Sequence, residues 1–191
     1  MRAVWVEDDV MGRVTAVVQG QAGDRAAARR ELAAIWTDVE QSGGDAFHRC
    51  VIAHFLADLQ DDLRDELVWD ERALAAVAGV TDERAQEYHP SLQVRGFLPS
   101  LYLSLADDHR RLGDAERAHE FLRLAEGTID ALGDDAYGAL VRSGLENVAR
   151  ALAEGSTERL LTHLVTERSV TAAELRRLRQ LLDDKLREVD E

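Results

Sequence analysis

The chain has 191 residues, a formal net charge of −14, 46% hydrophobic residues and 5% aromatic residues. That length is enough for one domain with a sizeable core. The acidity disfavours nucleic acid and anionic membranes as partners, because phosphate-rich surfaces are bound through clustered cations.

The start, MRAVWVEDDVMGRV, carries charges too early for an apolar leader or span, so a cytoplasmic location is expected. Proline occurs only at Pro90 and Pro99, and alanine, leucine, arginine and glutamate dominate, which predicts an all-α chain with essentially no sheet. A first helix is expected from about Glu7 to Gln19, with Val10, Val14, Val17 and Val18 along one side. After a turn at Gly20 to Gly23, a second runs from Arg25 to Gln41 with Ala28, Leu32, Ile35, Trp36 and Val39 at helical spacing. Gly43, Gly44 and Asp45 then punctuate and cap. A third helix carries Phe47, Val51, Phe55 and Leu59, with Cys50, Ile52 and Leu56 widening the stripe. Cys50, the single cysteine, excludes an intramolecular disulfide and reads as a small core residue rather than a nucleophile.

Asp61 to Arg64 is the next expected turn, and a fourth helix holds Leu67, Ala73, Leu74 and Val77 before Gly79 stops it. Residues 80–97 form an irregular insertion: Thr81 can cap a short helix through Tyr88, while Pro90, Gly96 and Pro99 forbid a longer one. A third hairpin spans about Pro99 to Ala131, Gly133-Asp134 repeats the turn signal, and a further helix from about Asp135 to Glu154 is expected to end at Gly155. Thr157 to Glu167 reads as a short helix. Val170 to Leu175 then forms a well-defined helix start: Thr171 and Glu174 make a capping box, and Val170 with Leu175 can close a hydrophobic staple. Leu175, Leu178, Leu181, Leu182, Leu186 and Val189 follow on one broad face. That face must be buried, either by folding back as a cap or by pairing with a second copy of the chain.

The stretch LADDHRRLGDAERAHEFLRLA, from Leu105 to Ala125, has the skeleton of one repeat hairpin. Leu105 and Ala106 stand at the close-packing point of a first helix, with Tyr102 as its aromatic, and Gly113-Asp114 make the turn. Ala118, Leu122 and Ala125 form the buried stripe of the second helix. A second copy is anchored on Gly23-Asp24, where Ala28, Leu32 and Ile35 fall at the same offsets and Ala16 precedes the glycine as Ala106 precedes Gly113. Hairpin starts near residues 7, 45, 98 and 134 are spaced 38, 53 and 36 apart, a degenerate period a little over the roughly 34 residues of tetratricopeptide units.

On these residues, the region 7–154 resembles the tetratricopeptide-repeat superfamily. The expected fold is a TPR-like α-α superhelix of about four degenerate hairpins over residues 1–155, followed by capping or dimerisation helices over 156–191. The segments HRCVIAHFLADLQDDLRDELVWDERAL and FLPSLYLSLADDHRRLGD also look like those of small actinobacterial repeat proteins of unassigned function. The superfamily's closing proline is Asp130 here, and the second hairpin has an extended turn. The tail LLTHLVTERSVTAAELRRLRQLL is similar to the C-terminal helices of penicillinase-repressor-type regulators, which dimerise; no winged-helix DNA reader precedes it.

The resemblance implies a scaffold that holds a peptide or protein partner, with contacts from non-core positions of the first helices. Carried onto the third hairpin, the pattern puts Ser100, Leu103, Asp107 and Arg111 on the concave surface. Matching Ala53 to Ala106 places His54 and Asp58 correspondingly in the second. Leu175, Leu178, Leu182, Leu186 and Val189 are the residues for the alternative function, a self-associating structural or regulatory protein that forms a homodimer.

His54, Asp58 and Asp62 recur every four residues and present an imidazole and two carboxylates on one face. Asp62 is expected in a turn, which leaves a salt-bridged histidine as the reading of His54 and implies no metal or cofactor. Asp107, Asp108 and His109 are adjacent, so they point in different directions, and His109 takes a core-facing position. No nucleophile elbow, phosphate-cradling loop or zinc-protease motif occurs, and no enzymatic activity is expected.

Overall fold

The computed structural model describes residues 8–20, 24–42, 44–166 and 171–189; at 156–166, 172, 185, 186, 188 and 189 it describes the backbone alone. Among the described residues lie nine α-helices and no strand. They are α1 Asp9–Gly20, α2 Arg25–Gln41, α3 Ala46–Asp58, α4 Leu63–Val77, α5 Asp82–Tyr88, α6 Leu98–Arg111, α7 Ala115–Glu126, α8 Ala136–Thr166 and α9 Ala172–Val189. Short 3-10 turns occur at Val94–Phe97 and Ile129–Ala131. The chain is all-α. It divides into two compact units, Met1–Leu152 and Ala153–Glu191. Among the described residues no helix is long and apolar enough to cross a membrane.

Side-chain caps set most helix starts in the first unit. Asp24, Asp45, Asp62, Thr81 and Asp114 each accept a hydrogen bond from a backbone amide of the helix they precede. This satisfies donors that the first helical turn cannot pair internally. Between α6 and α7 the chain reverses in three residues because Gly113 takes a positive φ of 83°, the left-handed conformation that a side chain opposes.

Helices adjacent in sequence then pack on one another: α1 on α2, α2 on α3, α3 on α4, α6 on α7, with α4 meeting α6 across the insertion. Small residues sit where helices come together, and Ala53, Ala73, Ala106, Ala118 and Ala125 are fully buried. Three apolar clusters result. Val14, Leu32, Ile35, Ile52 and Leu56 fill the first, Phe47, Cys50, Val77 and Leu101 the second, and Leu105, Leu122, Val141 and Leu145 the third. Trp36 of α2 meets Trp69 of α4 edge-on at 5.0 Å, and the Arg72 guanidinium lies 4.3 Å from the Trp69 ring centroid.

The insertion is a strap. Ala85 of α5 is fully buried. The residue before it, Arg84, ion-pairs with Asp45, donates to Asp8 at 2.7 Å and lies over the Phe47 ring. His48 Nε2 stands 2.9 Å from Asp8 Oδ1, so the start of α1, the start of α3 and α5 share one charged knot. Burial alone would raise Asp8 and Asp45, but hydrogen bonds from the His48 side chain (to Asp8) and backbone (to Asp45), and from Arg84 to both, hold both carboxyls below their ordinary range.

Several expectations need correction. Ala16 is exposed, unlike Ala106, because α1 packs through Met11 and Val14 and a residue two positions beyond Val14 is turned by about 200° to the opposite face. Gly23, the other anchor of that second copy, lies outside the described residues, as do Glu7, Gly43 and Val170 of the expected staple. Leu63 and Arg64 belong to α4 rather than to a turn, since Asp62 caps the helix directly. Asp135, not Asp134, caps α8, accepting from the Gly138 amide at 2.8 Å. Gly155 does not end that helix, and no separate helix begins at Thr157: α8 continues to Thr166. A glycine inside a helix costs only about 1 kcal/mol relative to alanine, which flanking helix formers can outweigh.

In the second unit, Thr171 and Glu174 close both arms of the capping box: the Thr171 amide donates to Glu174 at 2.8 Å and the Glu174 amide to Thr171 at 3.3 Å. Leu175, Leu181 and Leu182 of α9 are exposed and Leu178 is half-buried, while the side chains of Leu186 and Val189 lie outside the described residues.

Gly113→Ala forces a Cβ into the left-handed region and is expected to cost about 1–2 kcal/mol. At this chain length that corresponds to a fall in Tm of roughly 2–8 °C by thermal denaturation, whereas an unchanged Tm would mean the α6–α7 turn relaxes freely.

Candidate functional site

Helix geometry brings acidic side chains from three helices to one place. On α3, His54 and Asp58 are four residues apart and share a face; on α4, Glu66 and Asp70 do the same. On α6, Leu103, Ser104, Asp107 and Asp108 turn toward them. Helix α8 completes the enclosure with Gly144, Asn147 and Val148. It can approach because position 144 is glycine: a Cβ there would stand 2.6 Å from Leu103 Cδ2. The product is a cleft of about 350 Å³ lined by Asp58, Glu66, Leu103, Ser104, Asp107, Asp108, Asn147 and Val148.

Beneath this cleft lie two carboxyls that water scarcely reaches: Asp70 is 3% exposed and Asp108 1%. Isolated ionised carboxylates are too costly to bury in such a position, and they respond by holding a proton. Burial, reinforced by the negative Asp70 and Glu66, pushes the Asp108 carboxyl up to about 9. Asp70 is also raised, chiefly by burial, against the opposing influence of His54. His54 Nδ1 stands 3.5 Å from Asp70 Oδ1. Burial would lower this imidazole, but the Asp70 and Asp58 carboxyls outweigh it and raise its affinity for a proton. Asp108 is therefore the group that keeps a proton at neutral pH, hydrogen-bonded to the neighbouring Asp70, with His54 on the far side of Asp70. Asp58, at the rim, is raised by the protein packed around it despite its exposed edge.

Arginines neutralise only part of the site. Arg111 donates to Glu66 at 2.7 Å and remains 3.8 Å from Asp108 and 4.0 Å from Asp107. Arg110 donates to Asp107 at 2.8 Å. Of the residues proposed from sequence, Asp58, Leu103 and Asp107 line the cleft. His54 is tied to Asp70 behind it, and Arg111 is engaged with Glu66 at its edge. Ser100 lies elsewhere, nearer the start of α6, where its hydroxyl donates to the Phe97 carbonyl and accepts from Tyr137. Sequence reasoning does not reach Glu66, Asp70 or Asn147, and it considers Asp108 only beside Asp107 and His109, as residues that cannot jointly serve a metal. Asp70 and Asp108 had a readable signal, since each continues an apolar stripe, with Ala73 and Val77 in one case and Leu101 and Leu105 in the other.

The other candidates are structural. Asp62 accepts from the Arg64 and Asp65 amides as the α4 cap. His109 is buried and stacks on Phe121 at 5.5 Å. Cys50 is buried, and its thiol is pushed up to about 12, far from a reactive thiolate. A second hollow of about 390 Å³ between the 91–97 segment and Ala131–Tyr137 contains one charged side chain, Asp135, already engaged as the α8 cap.

Set against known protein families, curated proteins and solved structures, the chain matches none of them.

A carboxyl whose folded value lies above its unfolded one stabilises the fold only while it keeps its proton. Its contribution therefore falls as pH climbs from about 3.8 toward about 9. The raised His54 acts with the same sign, because its ion pair is lost as pH rises through its folded value. Tm is thus expected to decline between roughly pH 6 and 9, and Asp108→Asn, which mimics the neutral acid, should remove much of that slope. Parallel wild-type and variant profiles would show that Asp108 does not carry the proton.

Proposed function

We propose that this chain is a non-enzymatic adaptor that binds a peptide or protein partner in the cleft walled by α3, α4, α6 and α8. The observation that carries this reading is the cleft itself: Asp58 from one hairpin and Leu103 and Asp107 from another line a single opening. The TPR-like character is part of the same proposal. It is supported by the buried Leu105, Ala106, Ala118, Leu122 and Ala125 around the left-handed Gly113. An adaptor needs a preformed, side-chain-lined groove on helices, and these helices supply one. The proposed place of action is the cytoplasm, which a single, buried thiol fits.

A second reading rests on a separate observation. Leu175, Leu181 and Leu182 of α9 are 41%, 67% and 48% exposed, an apolar row that a second copy of the chain can cover.

For the groove, a random-peptide display library panned against the immobilised full chain should yield binders that are lost on Leu103→Arg. No enrichment, or enrichment indifferent to that substitution, would remove the adaptor reading. For self-association, light scattering of the full chain should report a dimer that the double variant Leu175→Asp, Leu182→Asp converts to monomer. A wild-type monomer disposes of the second reading.

A further inference from the structure

Resting on the second reading, self-association through α9, we infer that two copies of the chain pair along this helix in antiparallel orientation, about a two-fold axis near residue 180. Leu175, Leu181 and Leu182 are exposed and Leu178 is half-buried, so an apolar row lies open along the helix. Such a row gains stability from being covered, and the charges beside it select what covers it.

Those charges are segregated by sign. Residues 174–179 carry Arg176, Arg177 and Arg179 against one acid, Glu174. Residues 183–191 carry five acids against Lys185 and Arg187. The start of the helix is therefore positive and its end negative. Within the helix Arg179 stands 3.6 Å from Asp183 and Arg187 2.5 Å from Asp184, and these contacts leave the sign of each block unchanged.

A complementary partner has to offer an acidic block to the start of α9 and a basic block to its end. A second copy of the chain does so when it runs the opposite way. In a parallel pair, like blocks lie beside each other. Packed helices are about 8–10 Å apart, roughly one Debye length at physiological salt, so this difference is felt across the pair. The helix dipoles favour the same antiparallel arrangement.

The parallel pair has one compensating contact, and it is pre-empted. With Leu175 and Leu182 at a positions and Leu178 at d, parallel helices set Glu174 against Arg179 of the other copy. Glu174 already accepts from the Thr171 amide at 2.8 Å and from the Thr171 hydroxyl at 2.7 Å, as the capping box that starts the helix.

The leucines also set the register. Alignment about residue 180 brings Leu178 level with Leu182 of the second copy, and position 175 level with positions 185 and 186. Arg176 and Arg177 then stand level with Asp184 and Asp183 of the second copy. Because α9 has 18 residues, the two chains enter the pair from opposite ends, about 27 Å apart.

Sedimentation equilibrium of the full chain measures the dimer, and cross-linking reads its orientation. Chains carrying Leu175→Cys should form no interchain disulfide with one another, because the two positions lie about 15 Å apart along the pair. Mixed with chains carrying Leu186→Cys, they should form one. Cys50 does not compete, since it is buried and its thiol is pushed up to about 12. Arg176→Asp with Arg177→Asp should weaken dimerisation at least about tenfold, and adding Asp183→Arg with Asp184→Arg should restore most of it. Circular dichroism checks that every variant keeps the wild-type helix content. Leu175→Cys chains that link to themselves, or no recovery from the second reversal, overturn the antiparallel assignment and leave self-association through α9 standing. A dimer that forms neither disulfide and ignores both reversals does not use this face, so both ideas are lost. A wild-type monomer removes them together.

Discussion

The structure turns on the meeting of α4 and α6, where Asp70 and Asp108 are buried beside each other. Elsewhere the first unit is built by routine means: apolar stripes close on one another through small residues, and caps begin the helices. At this contact two carboxyls occupy positions that the apolar pattern reserves for core. Two negative charges cannot share such a place, so the packing of α4 against α6 and the protonation of Asp108 are one equilibrium. His54 and Arg111 each relieve part of the cost from either side, the first at 3.5 Å from Asp70 and the second at 3.8 Å from Asp108. Neither is close enough to discharge it, which leaves the contact responsive to what enters the cleft above.

Much of the fold was legible in the sequence because its signals are local. Thr81 capping a short helix to Tyr88 and Gly113-Asp114 reversing the chain need only a few consecutive residues, and both features are present. The extent of α2 likewise follows from a run of apolar residues at helical spacing between polar flanks. What escaped depends on distant partners or on competing small energies. Arg84 secures the insertion by reaching residues 39 and 76 positions away, a relation no window of sequence contains. Gly155 reads as a stop only in isolation; inside a strongly helical run its penalty is overridden. Ala16 misled because an alanine is small wherever it lies, and its size carries no information about which way it faces.

The cleft shows the same division. Matching Ala53 with Ala106 aligns α3 with α6 face to face, and both alanines are fully buried, so residues one and five positions beyond each fall on the same side. That alignment brings Asp58 and Asp107 to one opening. Glu66 and Asn147 come from helices whose register against α6 is set by packing alone, hence their absence from a reading of the chain. The acid positions Asp70 and Asp108 were visible as breaks in apolar periodicity, but a break of one residue is indistinguishable from a solvated edge until the neighbouring helix is in place.

The two charged clusters of the first unit separate a structural role from a functional one. Around Arg84, two carboxylates and an imidazole converge on one guanidinium that the chain itself supplies, and both carboxyls are held below their ordinary range. Both carboxylates of that knot are hydrogen-bonded, and its stability is present above the unfolded carboxyl range and lost only on acidification. Around Asp108 the sign is reversed: burial prevails, Asp58, Asp70 and Asp108 are all raised, and stability is lost as pH climbs. The first cluster shows that this protein can satisfy half-buried acids with an arginine held in register by a helix. Leaving the second short of positive charge, beside an open cleft, therefore departs from a solution available in the same unit. Perturbed groups of this kind collect at sites where something binds.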